Sequence, residues 1–92
     1  MPKARARHIL VKEETVCLNL KQRIEAGASF ADIASKHSLC PSGKKGGDLG
    51  EFSRGQMVRE FDEVVFTQEI GKPLGPVKTQ FGYHLILIES RS

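Results

Sequence analysis

The chain has 92 residues, 39% hydrophobic and 27% charged, so we expect a single domain over residues 1–92 with one small core, and not a disordered chain. The net charge of +3 is mild and the basic residues are scattered, which does not indicate a nucleic-acid-binding protein. No apolar run is long enough to cross a membrane and no signal peptide is evident, which predicts a cytoplasmic protein with two reduced cysteines.

The first predicted element is a strand over residues 4–11, because its side chains alternate between two faces. His8 and Leu10 share one of these faces. The acidic residues 13–14 then favour the start of a helix, since negative charge is stabilised at the positive end of the helix dipole. Gly27 is a natural position for this helix to end.

Four further elements are predicted in the middle of the chain. Ser29 is the expected N-cap of a second helix. Residues 38–47 form a loop in which Pro41 favours a short helical turn. Residues 48–52 can form a short strand, and the apolar spacing along residues 57–66 predicts an amphipathic helix.

The last third of the chain predicts two strands joined by a tight turn. Residues 69–76 contain two glycines and two prolines and cannot continue a helix, so the first strand is predicted only over residues 77–79. Residues 83–89 are apolar on both faces apart from His84 and Glu89, which indicates a central strand covered on both sides. Helices and short strands around one sheet make an α+β domain.

Two of the histidines lie on predicted strands near opposite ends of the sequence. If the first and last strands pair, His8 and His84 meet on one face of the sheet. One interpretation is structural, with two buried imidazoles that hydrogen-bond to each other or to a backbone carbonyl. The other is that the pair orients a third group beside a substrate, and the two interpretations are compatible. His37 follows a lysine at a helix end, which is typical of an exposed or capping residue.

Cys40 has several possible roles. It precedes Pro41, so it avoids helical backbone and is a candidate N-cap, where the helix dipole favours a thiolate. The alternative is an ordinary half-buried cysteine. A thiol hydrolase with His8 or His84 as base is a rival, but no nucleophile motif surrounds Cys40. A zinc site built from these residues lacks the closely spaced ligand pairs of structural zinc sites, so no metal is predicted.

Three phenylalanines lie on a predicted strand end, a helix and a turn: Phe52, Phe61 and Phe81. For any one of them a place in the core is the simplest interpretation. Phe81, however, lies between Gln80 and Gly82 in a tight turn, which is a poor core position. An aromatic side chain there is typical of the wall or rim of a pocket.

Three segments carry a specific pattern. They are H-I-L-V-K at residues 8–12, G-G-D-L-G-E-F-S-R-G-Q-M at residues 46–57 and F-G-Y-H at residues 81–84. In this order they resemble the parvulin family of peptidyl-prolyl cis/trans isomerases, and the resemblance covers nearly the whole chain. It implies a parvulin-like (FKBP-like) fold, a small antiparallel sheet surrounded by helices. It also implies rotation about Xaa-Pro bonds in proteins, in support of folding, without a cofactor.

The resemblance further implies which residues form the site. An apolar cup for the proline ring would consist of Leu49, Met57 and Phe61, with Phe52 and Phe81 shaping its sides. A polar cluster beneath the rotating bond would consist of His8, Cys40, Thr79 and His84. Some family members carry Asp at position 40, which argues against obligatory covalent catalysis by the cysteine.

The same resemblance predicts the partners. Proline-containing peptides and unfolded or partly folded proteins are the expected substrates of a monomer that uses no membrane or nucleic acid. A phosphate-directed branch of the family has a long basic loop that residues 12–14 do not provide, so no phospho-specificity is expected. Small bacterial members often have proline where this chain has Arg59-Glu60, which changes the charge at the pocket rim. The alternative function is a non-catalytic module that binds proline segments or, weakly, DNA.

Overall fold

The structure is a computed structural model that describes residues 2–92, in which strands and helices are interspersed along the chain. The elements are β1 (Lys3–Val11), α1 (Glu14–Glu25), α2 (Phe30–His37), a 3₁₀ turn (Pro41–Lys45), β2 (Asp48–Ser53), α3 (Arg59–Thr67), β3 (Pro73–Thr79) and β4 (Gly82–Arg91). All strand pairs are antiparallel, in the order β2-β1-β4-β3. This is the α+β architecture predicted from the sequence, a small antiparallel sheet surrounded by helices.

The sheet separates two hydrophobic cores. On one face, α1 and α2 pack through a buried cluster of Ile9, Val11, Cys17, Leu20, Phe30, Ile33, Ala34 and Leu85. On the other face, α3 packs through a buried cluster of Ala4, Ala6, Phe52, Phe61, Val65, Ile86 and Ile88. Because side chains alternate along a strand, neighbouring residues of β1 and β4 supply both cores.

The pairing of β1 with β4 joins the two ends of the chain. Its register places His8 opposite Ile86 and Leu10 opposite His84. Both imidazoles lie on the face that α3 covers, where each contacts the ring of Phe61. The predicted antiparallel pairing, with both rings on one face, is confirmed. A slip of one residue in this register would turn one ring to the opposite face.

Two elements, α3 and β3, begin two or more residues away from the positions predicted from the sequence. Residues 57 and 58 precede α3, because Val58 keeps extended backbone (φ −58°, ψ 150°) and its carbonyl accepts the hydrogen bond of the Asp62 N–H. The strand β3 begins at Pro73, earlier than predicted. It lies at the edge of the sheet, where a strand tolerates proline because one side of it needs no ladder hydrogen bonds.

Gly47 allows the chain to approach β1 closely beside His8. Its φ is +85°, and its carbonyl accepts a hydrogen bond from the His8 N–H at 3.0 Å. A Cβ on Gly47 would lie 2.5 Å from the carbonyl oxygen of His8, which is too close for real atoms. This glycine therefore determines how tightly the segment after the 3₁₀ turn packs on the strand that carries His8.

We expect Gly47→Ala to lower the free energy of unfolding by at least about 2 kcal/mol, because positive-φ strain adds to the clash with β1. Gly50→Ala is the matched control, since Gly50 also has a positive φ, +72°, but nothing lies within 4 Å of its Cβ position. The control should lose only the strain, about 1 kcal/mol. Urea unfolding measures both variants, and equal losses would contradict the close approach.

Candidate active site

A cavity of about 380 Å³ opens on the α3 side of the sheet. Its lining comes from three strands, β1, β2 and β4, and from three connecting regions. These regions are the start of the 3₁₀ turn, the start of α3 and the turn between β3 and β4. The lining residues are His8, Leu10, Leu39, Cys40, Pro41, Leu49, Met57, Val58, Phe61, Phe81 and His84. Most of these side chains are apolar, so the cavity suits a small apolar group with a few polar atoms beside it.

The apolar wall combines side chains from several elements. Leu49 lies on β2, Met57 and Val58 lie just before α3, and Phe61 lies in the first turn of α3. Phe61 is only 3% exposed, so it belongs to the core as well as to the wall. Phe81, on the β3–β4 turn, is 58% exposed and forms the outer rim, which is the location predicted for an aromatic in that turn.

Most of the predicted site residues line this cavity, but Phe52 and Thr79 do not. Phe52 lies opposite Ala4 in the β1–β2 pair and is buried. It packs against Phe61 and Phe66, with ring centroids 6.2 and 6.1 Å apart. This ring therefore supports the wall from behind, and its predicted role in shaping the substrate site stays a prediction.

Four lining residues were not predicted: Leu10, Leu39, Pro41 and Val58. The sequence did contain a signal for most of them. Leu10 shares its strand face with His8, while Pro41 and Val58 adjoin predicted site residues. Leu39 likewise adjoins Cys40, but nothing else in the sequence marks it as a lining residue.

A row of hydrogen bonds runs beneath the cavity and joins three strands. The Nδ1 atoms of His8 and His84 are 3.0 Å apart, and the two rings stack with centroids 5.2 Å apart. His84 Nε2 is 2.7 Å from Thr79 Oγ1, and this oxygen accepts a hydrogen bond from the Phe81 N–H at 3.2 Å. Thr79 thus lies one step behind His84 and links the imidazole pair to the rim of the cavity.

The row allows two arrangements of protons. Only one of the facing Nδ1 atoms carries hydrogen, because a hydrogen bond needs one donor and one acceptor. If the Thr79 hydroxyl donates to His84 Nε2, then His84 donates from Nδ1 and the proton of His8 lies on Nε2. The reverse direction leaves His8 Nε2 without a proton. In both arrangements His8 Nε2 is buried and has no hydrogen-bond partner within residues 2–92.

The surroundings keep both imidazoles neutral. Burial, and next the neighbouring His84, lower the pKa of His8 from 6.5 to about 4. Burial also lowers the pKa of His84, against an opposing effect of Glu60. Phe61 packs edge-on against both rings, with centroids 5.6 and 5.8 Å away, and excludes water from them. At neutral pH the floor of the cavity is therefore polar but uncharged.

Cys40 lies at the edge of the cavity, as the residue before the 3₁₀ turn that begins at Pro41. Its sulfur accepts a hydrogen bond from the Ser42 hydroxyl at 3.2 Å, and its N–H donates to Ser38 Oγ at 3.3 Å. Within residues 2–92 no hydrogen bond joins the sulfur to either imidazole. The base that a thiol hydrolase requires is thus not assembled. Nor do these residues contain a group of three His, Cys, Asp or Glu side chains placed to hold a metal ion.

Asp62 is a candidate positioning residue that the sequence did not reveal. It is buried on α3 beside Phe61, and its Oδ1 accepts a hydrogen bond from the Gly55 N–H at 2.8 Å. Its Oδ2 is 3.8 Å from Arg54 Nε. The carboxylate therefore ties the turn that leads to Met57 onto the helix that carries Phe61, and holds two parts of the apolar wall together.

Comparison with known proteins identifies this arrangement. The family model described as rotamase, the PPIC-type PPIase domain, matches residues 8–90. The chain belongs to the PPIC-type peptidyl-prolyl isomerase family, the parvulins. The predicted family is confirmed, and the predicted activity, cis/trans isomerisation of peptidyl-prolyl bonds, is the activity of this family.

Individual relatives agree with this assignment. The foldase protein PrsA of Geobacillus kaustophilus is 42% identical over 91 residues, which are 98% of this chain but 32% of that foldase. Crystalline PrsA from Bacillus anthracis has a TM-score of 0.95 at 37% identity, covering 99% of this chain and 42% of its own. NmPin, the parvulin of Nitrosopumilus maritimus, has a TM-score of 0.87 at 33% identity, covering 98% of both chains. The parvulin-like fold is confirmed, and the chain spans about a third of the PrsA foldase.

We expect the parvulin domain to lose stability as pH falls from 6.5 towards 4. The folded His8 has a pKa of about 4, whereas its ordinary value is 6.5, so between these values the unfolded chain binds a proton that the folded chain does not. The resulting loss in the free energy of unfolding is on the order of 3 kcal/mol. It is absent above pH 6.5 and complete near pH 4.

Urea unfolding at several pH values measures this loss, with His8→Gln as the test variant. The variant should lose less stability than the native chain over the same interval. His37→Gln is the control because His37 is exposed at the end of α2, and it should follow the native chain. Identical pH dependence in His8→Gln and the native chain would contradict a neutral, buried His8.

We expect Asp62→Ala to raise the KM for an Xaa-Pro peptide several-fold with a smaller change in kcat, because the apolar wall of the cavity loses its support. Asp62→Asn should restore most of the KM, since an amide oxygen still accepts the hydrogen bond of Gly55. Glu63→Ala, at the exposed neighbouring position on α3, is the control. Kinetics are compared at equal folded fraction, and an Asn variant as impaired as the Ala variant would be inconsistent with this positioning role.

Proposed function

We propose that this parvulin domain isomerises Xaa-Pro bonds in unfolded or partly folded proteins by non-covalent stabilisation of the twisted amide. One observation carries the proposal: an apolar cavity has a neutral, hydrogen-bonded imidazole pair as its floor. Polypeptide substrates are supported by the name foldase that the PrsA relatives carry. No covalent bond is broken in such a reaction, so the proposal needs no cofactor.

The apolar wall is the proposed site for the proline ring. Leu49 and Met57 are half-buried and offer accessible apolar surface, while the buried ring of Phe61 closes the cavity behind them. A proline ring that leaves water for this wall gains the free energy of apolar burial. The ring is then held while the carbonyl of the preceding residue swings around the peptide bond.

The barrier to this rotation is about 20 kcal/mol, because twisting the bond breaks amide resonance. The planar amide separates charge between oxygen and nitrogen, and the twisted amide is less polar. Moving the bond from water into an apolar cavity removes hydrogen bonds that favour the planar form. An acceleration of about a million-fold needs roughly 8 kcal/mol of preference for the twisted state.

The polar residues receive supporting roles in this proposal. The sulfur of Cys40, held by the Ser42 hydroxyl, would lie beside the moving carbonyl and disfavour negative charge on its oxygen. His8 and His84 would keep the floor neutral and rigid, and Thr79 would connect them to the rim. The roles of these four residues, and of the apolar wall, stay predictions until variants are measured.

Selectivity for phosphorylated substrates is not part of the proposal. Only Lys12 and Glu13 lie between the end of β1 and the start of α1. One cation beside one anion does not form the cluster of Arg or Lys side chains that phosphate recognition requires. This short connection supports unmodified polypeptide as the substrate.

A cytoplasmic, monomeric protein stays a prediction. Two free cysteines, one buried and one half-buried, support a reducing compartment. Within residues 2–92, no helix reaches the length and apolar character that crossing a membrane requires. Cell fractionation and light scattering of the purified chain test the compartment and the oligomeric state.

A protease-coupled turnover assay on a short Ala-Pro peptide tests both the function and the role of Cys40. The native domain should accelerate cis-to-trans conversion in proportion to its concentration. Cys40→Asp should keep substantial activity, because a carboxylate oxygen, like the sulfur, places an electron-rich atom beside the carbonyl oxygen. Cys40→Ala should lose about tenfold or more, equivalent to at least 1.4 kcal/mol of transition-state stabilisation.

Turnover by these variants at equal folded fraction distinguishes an electrostatic role of Cys40, a nucleophilic role of Cys40 and a domain that binds without catalysis. Cys17→Ala is the control, because it removes a thiol that lies outside the cavity. A nucleophilic thiol predicts that Cys40→Asp and Cys40→Ala are equally inactive. That result would contradict the electrostatic role of Cys40. Peptide binding by the native domain without any acceleration would contradict the enzymatic function and favour a non-catalytic binding module.

A further inference from the structure

Glu60 is an exposed anion in the first turn of α3, close in sequence to two residues that line the proposed proline site. Val58 precedes it by two positions and Phe61 follows it directly, and both contribute to the cavity. Within residues 2–92, Glu60 forms no ion pair. Its neighbour Arg59 pairs instead with Glu63, at 3.3 Å. The start of α3 therefore carries one uncompensated negative charge, although the whole chain has a net charge of +3.

The helix directs Glu60 and Asp62 to opposite sides. Successive residues of an α-helix are about 100° apart around its axis, so these two carboxylates flank Phe61. Asp62 faces the turn that follows β2, from which it accepts a hydrogen bond. Val64 lies one turn after Glu60 on the same side of the helix, and it packs on the same buried cluster as the apolar residues of β3. Glu60 therefore lies on the side of α3 that faces β3.

The charge of Glu60 acts on one imidazole of the pair. Burial lowers the pKa of His84, and Glu60 opposes this effect. Burial and the neighbouring His84 account for the lowered pKa of His8. Because His84 lies on β4, between β1 and β3, this difference agrees with a carboxylate on the β4–β3 half of the site.

Cys40 belongs to the other half of the site. The residues before it are attached to β1, since the Leu39 N–H donates to the Leu10 carbonyl at 2.8 Å and the Leu10 N–H donates to Ser38 Oγ at 3.1 Å. After Cys40 the chain continues through the 3₁₀ turn into β2. The strand order β2-β1-β4-β3 therefore places the cavity between Cys40 on one side and Glu60 on the other.

We infer that Glu60 selects a lysine or arginine at the position that immediately follows proline. The inference rests on the proposed function, in which the wall around Met57 and Phe61 holds the proline ring and Cys40 lies beside the carbonyl of the preceding residue. The substrate then enters at the half with Cys40, and the residue after proline leaves at the half with Glu60. A long cationic side chain can reach an exposed carboxylate while its charged end stays in water.

The expected selectivity is modest and depends on salt. An ion pair between exposed groups changes an equilibrium by about two- to fivefold, and a glutamate after proline should be disfavoured by a similar factor through repulsion. At about 1 M salt the Debye length is only about 3 Å, so both effects should disappear. Apolar contacts of the same side chains would not be weakened by salt in this way.

The test uses exchange NMR, which measures cis–trans interconversion without a protease and so leaves the residue after proline free to vary. Three peptides differ only there: Ala-Pro-Lys, Ala-Pro-Gln and Ala-Pro-Glu. With the whole chain at low salt and peptide below KM, the catalysed rate should fall in that order, by about two- to fivefold at each step. Glu60→Gln should make the three rates equal, and Glu60→Lys should reverse their order.

Glu51→Gln is the matched control, because it removes the same charge from an exposed position on β2, at the opposite edge of the sheet from β3. It should keep the native order of the three peptides. Each order is obtained within one variant, so differences in folded fraction and in the imidazole pair affect all three peptides alike.

The other outcomes can be told apart. No catalysed exchange of Ala-Pro-Gln by the native chain defeats the proposed function itself. Equal rates for the three peptides at low salt, or an order that persists in Glu60→Gln or at about 1 M salt, overturn the selectivity while the isomerase stands. Loss of the order in Glu51→Gln also overturns it. The ratio of Lys-Pro-Gln to Ala-Pro-Gln should be the same in native chain and Glu60→Gln, and a change in this ratio alone would contradict the assignment to the residue after proline.

Discussion

The contact between the imidazoles of His8 and His84 is the interaction on which the rest of the site depends. It exists only because β1 and β4, from the two ends of the chain, pair in one register. Such long-range pairing must overcome the entropy of closing a long loop, so the site can form only when the sheet is complete. The glycine at position 47 and the segment around Leu39 then attach to β1 beside this contact.

Exclusion of water accounts for two properties of the cavity at once. The ring of Phe61 covers both imidazoles, and the resulting burial lowers the pKa of each, so the floor is neutral. The same apolar surroundings would favour a twisted amide over a planar one. A charged pair in this position would attract water and the polar planar amide. The neutral charge of the imidazole pair and the expected preference for a twisted amide therefore both follow from the apolar surroundings of the cavity.

Local periodicity was sufficient to predict the sheet faces, the histidine contact and the exposed ring of Phe81, because each follows from alternation or from one turn. Features that depend on contacts between separate segments could not be predicted from local periodicity. The hydrogen bond from the Gly55 N–H to Asp62 spans seven residues across a turn, and Phe52 is buried because it packs against the α3 rings of Phe61 and Phe66. The start of β3 was not predicted because its prolines argue against a strand, and they are tolerated here because β3 lies at the edge of the sheet.

His8 Nε2, which has no hydrogen-bond partner among the described residues 2–92, has a consequence for how this domain can change. A buried unsatisfied polar atom costs about 1–3 kcal/mol, in a class of domain whose total stability is on the order of 5–15 kcal/mol. An apolar side chain at position 8 would remove that atom, but it would leave the buried His84 Nδ1 without the hydrogen bond that it shares with His8. Selection for heat resistance alone would therefore favour apolar replacement of both imidazoles together, which leaves an intact fold without the pair, and not replacement of one of them. Two coupled substitutions are less accessible than one, so the pair itself makes each histidine harder to replace.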